Sequence, residues 1–313
     1  MIFLKLLTNK FPVIFLLTLL LITPLHLCHE NLKKEYPTLH HHTADDDLNI
    51  DYNFLITGGY RPKKQNLTKY LVSISSEKMT KFFGDGHFCG GSIIKANVIV
   101  TAAHCIRKDM YGLQMLRSVI VIAGTPNRFE KTAKTQVMKV KRSVVYHAST
   151  GGESADIALI VLQKNIRIDG VTTDILPLAD KPPKAWMHCT VVGWGRVFDH
   201  GPLVAEPLYV DLDMWSRRKC ASYKRFYEPS LLCAGVLYDP DRDSCSGDSG
   251  GPLICEGKLY GIVSFGIGCG TPGFPGFYTN VFRYLKWIAE NRADFYGINY
   301  SLIVIMCFCL TLL

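Results

Sequence analysis

The stretch Asp243-Ser244-Cys245-Ser246-Gly247-Asp248-Ser249-Gly250-Gly251-Pro252 contains the groups that a peptide-cleaving serine site needs. A serine hydroxyl is a weak nucleophile, and the glycines around Ser249 predict a turn that exposes it to a neighbouring base. Glycine at Gly247 lets a substrate approach the backbone closely. We therefore predict that the N–H groups of Gly247 and Ser249 stabilise the oxyanion formed on attack. A Gly/Ser-rich surface turn would explain a few of these residues but not the ordered string.

The base for Ser249 is predicted in the segment Thr101-Ala102-Ala103-His104-Cys105, which follows the apolar run 92–100. His104 falls just past a predicted strand, and an imidazole titrates close enough to neutral pH to accept and return a proton. Asp156, an acid within the apolar run 154–162, is predicted to orient the imidazole. A charge in such a run is costly to bury without a partner. Taken alone, either residue would be interpreted as structural or solvated.

The order His104, Asp156, Ser249, with the motifs around each residue, resembles the chymotrypsin/trypsin family of serine endopeptidases. The resemblance covers about residues 56–295 and includes four further motifs: Phe88-Cys89-Gly90-Gly91-Ser92, Val192-Gly193-Trp194-Gly195, Gly261-Ile262-Val263-Ser264-Phe265-Gly266 and Pro275-Gly276-Phe277-Tyr278-Thr279. It implies a Ser-His-Asp triad that acts through an acyl-enzyme, which is the mechanism of that family.

The fold class predicted from the sequence pattern is all-β. Short apolar or alternating runs at 70–74, 119–123, 190–193 and 259–263 are separated by Gly, Pro and Asn turns. Apolar residues recur at helical spacing only near the end, over 281–292, which predicts one C-terminal helix. The resemblance implies the finer architecture, two six-stranded antiparallel β-barrels with the triad in the cleft between them.

Substrate preference is implied by Asp243, six residues before the serine. The resemblance places this acid at the floor of the pocket for the side chain that precedes the scissile bond. A buried carboxylate there selects Arg or Lys, because a cationic side chain relieves the cost of the unpaired charge. Gly266 and Gly276 are matched to the pocket walls, and the Ser244 hydroxyl is expected to help bind lysine. The alternative is that Asp243 is a solvated loop acid.

Two neighbouring residues extend the predicted substrate site. The resemblance implies that Ser264 hydrogen-bonds near the Asp156 carboxylate, and that residues 264–266 pair with the substrate backbone as an added strand. Phe265 stands where the family usually has tryptophan, and its flat ring is expected to wall the pocket.

The segment Ile56-Thr57-Gly58-Gly59 resembles the N-terminus that the family exposes on activation. By that resemblance the α-amino group of Ile56 pairs with Asp248 and shapes the oxyanion hole. The preceding residue is Leu55, where zymogens of trypsin-like enzymes generally carry Arg or Lys. We therefore expect activation to require a different upstream protease, or the chain to remain latent.

Eight of the eleven cysteines lie in the predicted catalytic region, and the sequence alone leaves their pairing open. The resemblance implies four disulfides: Cys89 with Cys105, Cys189 with Cys255, Cys220 with Cys233, and Cys245 with Cys269. Such a framework requires an oxidising compartment. The spacings do not match zinc ligation, and the loop between Gly124 and Gln136 holds one acid, too few oxygen ligands for calcium. We predict no metal site and no cofactor.

Both ends of the chain are apolar. Residues 1–28 are predicted to be a signal peptide, with a signal anchor as the alternative, and the polar segment 29–55 a propeptide. The protease domain is predicted over 56–296. The tail 297–313 is short for a membrane span, so a GPI-attachment signal with Ala293, Gly297 or Asn299 as attachment residue competes with packing onto the protein surface. Asn66 and Asn299 begin glycosylation sequons. The expected location is secreted, with tethering through the tail as the alternative.

The net charge of +8 is unaccompanied by a nucleic-acid motif, so we predict no nucleic-acid partner. Two basic clusters, 131–142 and 217–225, are either solvated faces or exosites for an anionic protein or glycan. The expected partners are peptides and proteins with Arg or Lys, an activating protease and protease inhibitors. Two functions remain open, an exported endopeptidase cleaving after Arg or Lys and a latent protease-like binding protein.

Overall fold

Two closed β-barrels, each of six antiparallel strands, contain all twelve strands of the described residues. The structure is a computed structural model, and it describes residues 58–62, 66–77, 81–107, 118–147, 155–239 and 241–292. The predicted fold class and the two-barrel architecture are confirmed. The predicted signal peptide, propeptide, tail and residues Leu55, Ile56 and Asn299 lie outside the described residues.

The first barrel closes in the order β1-β2-β3-β6-β5-β4. Its strands are β1 Leu71–Ser76, β2 His87–Lys95, β3 Val98–Thr101, β4 Val119–Ala123, β5 Gln136–Val145 and β6 Ala158–Leu162. The second barrel closes in the order β10-β11-β12-β9-β8-β7. Its strands are β7 His188–Gly193, β8 Leu208–Met214, β9 Leu231–Gly235, β10 Pro252–Cys255, β11 Lys258–Phe265 and β12 Gly276–Asn280.

The apolar runs of the sequence become the buried strands. All five residues of β6 are buried, while β5 alternates between partly buried and exposed positions and forms an outer wall. Aliphatic β-branched residues suit such strands because they pack well on a pleated, half-buried surface. One cluster of buried apolar side chains includes residues of both barrels, so the barrels pack against each other and fix the cleft between them.

Helices are few and short in the described residues. Helix α1 spans Arg217–Cys220, and the Ser216 side chain caps it by accepting a hydrogen bond from Lys219 N. The predicted C-terminal helix is present, but α2 spans only Leu285–Asn291 and is preceded by a 3₁₀ turn, Val281–Tyr284. Val281 and Tyr284 are both buried, and a spacing of three residues places them on one side of a 3₁₀ turn. The spacing of apolar residues in the sequence did not distinguish the 3₁₀ turn from the α-helix that follows it.

Four disulfides lie in the described residues. They join Cys89 with Cys105, Cys189 with Cys255, Cys220 with Cys233 and Cys245 with Cys269. The first links β2 to the turn that carries His104, and the last closes the segment between Asp243 and Gly270. Within the described ranges, no helix has the length and apolar character needed to cross a membrane.

Candidate active site

Strand pairing brings His104 and Asp156 to the same edge of the first barrel. His104 lies in the 3₁₀ turn Ala103–Cys105, just after β3 ends. Asp156 lies just before β6 begins. Because β3 and β6 are antiparallel neighbours, with Thr101 opposite Ala158, the end of one strand meets the start of the other. The two apolar runs of the sequence therefore deliver the two side chains to one place.

The contact between His104 and Asp156 uses both carboxylate oxygens. His104 Nδ1 lies 2.8 Å from Asp156 Oδ2, and the His104 backbone N–H donates to Oδ1 at 2.9 Å. An ionised carboxylate can only accept, so the Nδ1 atom carries a proton. In the neutral imidazole this leaves Nε2 with a free lone pair. The geometry thus sets the tautomer that a general base at Nε2 needs.

Asp156 is held by two further contacts. The Ser264 hydroxyl donates to Asp156 Oδ2 at 2.5 Å, and the Thr279 hydroxyl donates to the Asp156 backbone carbonyl at 2.7 Å. Burial acts to raise the pKa of this carboxyl, but the hydrogen bonds and charge of His104 and the bond from Ser264 together lower the pKa below its usual value. Asp156 is therefore ionised at neutral pH. The predicted contact between Ser264 and this carboxylate is present.

Ser249 sits on a tight turn at the start of the second barrel's β10. Gly251 N donates to Asp248 O at 2.8 Å, and Gly250 has φ of 80°, a left-handed conformation that glycine adopts without strain. Gly90 N donates to Ser249 O at 2.8 Å, which ties this turn to the first barrel.

The turn brings Ser249 beside the segment that carries His104. The Ser249 carbonyl oxygen lies 3.7 Å from Cys105 Sγ, the residue next to His104. Within the described residues the Ser249 hydroxyl makes no hydrogen bond with His104. Such bonds often tighten only when substrate is bound.

The backbone at Gly247 admits no side chain. Gly247 has φ of 104°, and a Cβ there would lie 2.6 Å from Leu203 Cδ2 and 3.1 Å from Gly195 Cα. Any other residue would be strained and would clash. In the part of the chain that the structure describes, neither the Gly247 N–H nor the Ser249 N–H donates to a protein acceptor. Both donors are thus available to an oxyanion.

Asp248 is almost fully buried, with 1% of its surface exposed. Its Oδ1 accepts from Gly195 N at 2.7 Å and its Oδ2 from Cys245 N at 3.0 Å. A Cβ at Gly193 would lie 2.1 Å from Oδ1, and one at Gly195 would lie 2.2 Å from Oδ2, so only glycine fits beside this carboxylate. Burial raises the pKa of Asp248 to about 6, and the two N–H donors partly oppose that rise. No cation pairs with Asp248 in the described residues.

Asp243 is a second buried carboxylate, separated from Asp248 along the same loop. Its Oδ1 accepts from Ser244 N at 2.8 Å, and its Oδ2 accepts from Gly270 N at 3.1 Å. Burial raises the pKa of Asp243 to about 6, against the effect of these donors. A Cβ at Gly276 would lie 2.9 Å from Oδ1 and one at Gly266 would lie 3.8 Å from Oδ2, so both predicted wall glycines border the carboxylate.

Of the other predicted pocket residues, Ser244 adjoins this carboxylate, and Phe265 lies in the groove of His104 and Asp156. The Ser244 hydroxyl is 3.3 Å from the Tyr278 hydroxyl. Phe265 is 41% exposed and stacks on Phe277, with ring centroids 4.8 Å apart. Phe265, Ser264, His104 and Asp156 line one open groove. Phe265 therefore borders the groove of His104 and Asp156, and its role as a wall of the Asp243 pocket stays a prediction.

Sequence reasoning missed His87, a buried histidine that contacts the backbone of Gly247. His87 Nε2 lies 3.1 Å from Gly247 O, and Nδ1 lies 2.8 Å from Ser73 Oγ. Burial, followed by the nearby charge of Arg128, lowers the pKa of His87 to about 3, so the ring is neutral. A carbonyl can only accept, so Nε2 carries the proton and Nδ1 accepts from Ser73. The only sequence signal for this role was its position at the start of the strand that carries Phe88-Cys89-Gly90-Gly91-Ser92.

Arg128 is a buried cation that ties three loops together, and it was also missed. Its Nε donates to Val204 O at 2.7 Å and its Nη1 donates to Gly84 O at 2.8 Å. Its guanidinium lies 3.8 Å from the Phe129 ring centroid. Val204 follows Leu203, whose side chain lies next to the Gly247 backbone. Arg128 therefore holds the loop that borders Gly247. Nothing in the local sequence 124–136 distinguishes this arginine from a solvated one.

One set of side chains in the described ranges places metal-binding atoms within 4.8 Å of one another: Cys89, His104 and Cys105. The two sulfur atoms are joined in a disulfide, so they are not thiolate ligands. The disulfide joins β2 to the turn that carries His104, and this set of side chains is not a metal site.

Comparison with known proteins agrees with this geometry. The sequence profile described as Trypsin matches residues 56–288. The chain belongs to the trypsin family. Human Serine protease 1 is 36% identical over 241 residues, which cover 76% of this chain and 90% of that protein. Trypsin eta of Drosophila melanogaster is 34% identical over 232 residues, covering 73% and 85%. Hypodermin-B of Hypoderma lineatum is 37% identical over 217 residues, covering 68% and 80%.

The same family membership follows from solved structures. The structure of neuropsin, described as a serine protease expressed in the limbic system of mouse brain, superposes with a TM-score of 0.63 at 28% identity. The match covers 75% of this chain and 99% of neuropsin. This trypsin-family protein is therefore a serine-type endopeptidase, and the family prediction made from the sequence is confirmed.

Arg128→Met should lower the free energy of unfolding by about 2–4 kcal/mol, because two buried carbonyls lose charge-assisted hydrogen bonds. Chemical denaturation of the full chain measures this change. Arg218→Met is the matched control, since Arg218 is exposed and its loss should change the free energy by less than about 0.5 kcal/mol. Equal effects of the two substitutions would contradict a structural role for Arg128.

Proposed function

We propose that this protein is an exported endopeptidase that hydrolyses peptide bonds after Arg or Lys, and that it is made as a zymogen. The observation that carries the specificity is the Asp243 carboxylate, 6% exposed and bordered by Gly266 and Gly276. Its two protein donors are backbone N–H groups, and neither supplies a positive charge. A long cationic side chain that enters between the glycines would supply the missing charge.

In the proposed reaction the Ser249 hydroxyl attacks the scissile carbonyl while His104 Nε2 takes its proton. Asp156 keeps the Nδ1 proton in place and stabilises the imidazolium that forms. The N–H groups of Gly247 and Ser249 stabilise the oxyanion. His104 then returns the proton to the leaving amine, which departs and leaves an acyl-enzyme at Ser249. Water, deprotonated by His104, hydrolyses that ester and restores the serine.

Substrate backbone would be held by residues 264–266 at the end of β11. Ser264 already donates to Asp156, so the strand that would pair with the substrate is fixed to the catalytic carboxylate. Phe265, stacked on Phe277, would cover one side of the bound chain. This arrangement supports recognition by strand addition, with the side chain before the scissile bond directed to Asp243.

Activation is proposed to occur by cleavage after Leu55. The new α-amino group of Ile56 would pair with Asp248, whose buried carboxylate has N–H donors but no cation among the described residues. Asp248 precedes Ser249 and Gly247 lies on its other side, so a charge fixed there orders both oxyanion donors. An enzyme selective for Arg or Lys would cleave poorly after leucine, so a different protease would be the activator.

Export is proposed because four disulfides need an oxidising compartment and because the chain begins with an apolar, signal-like segment. Asn66 is exposed, as a glycosylated side chain must be, and Asn299 is the second proposed site. Inhibitors that occupy the cleft are expected partners. The hydrophobic tail 297–313 is a proposed route to membrane tethering.

One observation favours a second function, a latent protease-like binding protein. Leu55 stands where a basic activation residue is expected, so the chain would stay uncleaved wherever a leucine-directed protease is missing. In that state Asp248 lacks its proposed partner, and an unpaired buried charge is strongly unfavourable.

Cleavage after Leu55 should convert the purified chain into an active enzyme. A protease that cuts after leucine, with N-terminal sequencing to verify the Ile56 terminus, should raise kcat/KM for Arg and Lys peptides by about 10²–10³, the usual value of an ordered oxyanion donor. A fluorophosphonate should label Ser249 in the cleaved chain, and cleaved Ser249→Ala is the control. An unlabelled chain with a verified Ile56 terminus would establish the latent binding protein instead.

Asp243→Ser should abolish the preference for basic residues. We expect kcat/KM for Arg peptides to fall by about 10²–10⁴, because removal of one partner of a buried ion pair costs about 3–5 kcal/mol. Asp241→Ser is the matched control, because Asp241 is exposed and two residues away. An unchanged cleavage profile across a peptide library would refute the pocket assignment.

Binding of an arginine-like cation should weaken at acid pH. The pKa of Asp243 is raised from 3.8 to about 6, so the ionised form is complete only above that pH and is lost as the pH falls through it. The Ki of benzamidinium should therefore rise by up to about tenfold per pH unit below 6. Asp243→Ser should remove this dependence. A Ki that stays constant from pH 7 to about 5 in the parent chain would contradict the raised pKa of Asp243.

A further inference from the structure

A second cavity lies on the second barrel, apart from the groove that holds His104 and Asp156. Its volume is about 310 Å³, enough for one or two side chains of a bound peptide. Its walls include four rigid or aromatic residues: Pro182, Pro183, Trp215 and Phe282. Neither the proposed mechanism nor the specificity pocket uses this cavity.

The lining of the cavity is positively charged. Three cations contribute to it: Lys184, Arg217 and Arg283. All three are exposed, and no Asp or Glu is among the described lining residues. Two acids adjoin lining residues in the sequence without being among them. Asp213 Oδ1 lies 2.6 Å from His188 Nδ1, and Glu228 lines the neighbouring groove, where the Ser230 hydroxyl donates to its carboxylate. The positive charge at this cavity is therefore not neutralised by its own wall, so it suits an anionic ligand.

Asn280 lines the cavity from β12 and is 8% exposed. Its backbone N–H donates to Ser230 O at 2.9 Å, which fixes this part of the wall to the segment before β9.

An exposed tryptophan stands beside the cavity in a costly backbone conformation. Trp186 follows lining residue Ala185, is 53% exposed and has φ of 66°, in the left-handed region. The Trp186 N–H donates to Met214 O at 2.6 Å and holds this conformation. A large aromatic side chain gains nothing from exposure, and strain of this kind tends to be retained at binding surfaces.

We propose that this face is an exosite for an acidic peptide segment. An apolar side chain of the segment fills the cavity and packs near Trp186, and flanking carboxylates lie against Arg217 and Arg283. Tryptophan and arginine are the residues that most often dominate binding energy at protein interfaces. A sulfated glycan would match the charges but would leave the apolar walls unused, so the observations favour a peptide.

The exosite and the cleft share a wall. Pro229 and Leu231 line the cavity, whereas Glu228, Ser230 and Leu231 line the groove of the catalytic pair. Arg283 Nη1 also donates to Pro229 O at 3.0 Å, which fixes the cation to that wall. The ligand is therefore an acidic segment of the same protein substrate that is cut in the cleft. This identification of the ligand as substrate rests on the proposed function.

The test measures binding without turnover. The full chain with Ser249→Ala is titrated against a fluorescein-labelled peptide of Asp and Glu residues around one central Phe, and fluorescence anisotropy gives Kd. Arg217→Glu with Arg283→Glu should raise Kd at least about tenfold. Lys95→Glu with Lys164→Glu, which makes the same charge change on exposed residues outside both basic clusters, should leave Kd within about twofold. Equal losses in the two double variants would overturn the exosite.

Trp186→Gly separates binding from folding. Glycine adopts the left-handed backbone without strain, so the free energy of unfolding should not fall, while Kd should rise on the order of thirtyfold if Trp186 dominates the contact. A peptide with Ser in place of the central Phe should bind about tenfold more weakly to the parent chain. Unchanged Kd in both measurements would overturn the proposal.

Two further measurements identify the source of the anion and distinguish a failure of the exosite from a failure of the proposed function. If a sulfated oligosaccharide binds more tightly than the peptide, and Trp186→Gly does not change its Kd, the cavity is a glycan site and the peptide assignment is wrong. The two proposals can fail separately. If the wild-type chain shows no turnover after cleavage at Leu55 while the Ser249→Ala chain still binds the peptide, the proposed protease function is contradicted and the exosite is not.

Discussion

The buried carboxylate of Asp248 is the constraint on which the rest of the site depends. It lies 1% exposed, immediately before Ser249 and after Gly247, and it draws backbone N–H groups of Gly195 and Cys245 toward itself. Burial disfavours the charge and raises the pKa of this carboxyl to about 6, while the two N–H donors partly oppose that rise. A cation at this position would favour the charged form and hold the backbone on both sides. The oxyanion donors are thus linked to a charge that the described residues leave unpaired.

The two barrels supply the rigid frame for this arrangement. His104 comes from the first barrel and Ser249 from the second, and the bond from Gly90 N to Ser249 O joins them. His87 contacts Gly247 from one side, and Arg128 holds the neighbouring loop from the other. These contacts fix the loops on both sides of Asp248 to the first barrel and to each other.

Sequence reasoning predicted the parts of the site that depend on local order. Ser249 was predicted from its glycine-flanked string, His104 from its place just after one apolar run, and Asp156 from its place within another. Strand pairing then explained why His104 and Asp156 meet. His87 and Arg128 were not predicted, because their roles arise from contacts with residues far away in sequence. The exosite was only a basic cluster at 217–225 in the sequence, since its cavity walls come from separate segments. The 3₁₀ turn before α2 was missed because its spacing resembles a helix.

The central claim is that Asp248 changes its partner when the chain is cut after Leu55. The most direct measurement is the pKa of the Asp248 carboxyl, followed by ¹³C NMR in selectively labelled protein before and after verified cleavage. The account predicts a value near 6 in the uncut chain and a value below the usual 3.8 once the Ile56 amino group has paired with it. A pKa that stays near 6 in a cleaved, active enzyme would contradict the account.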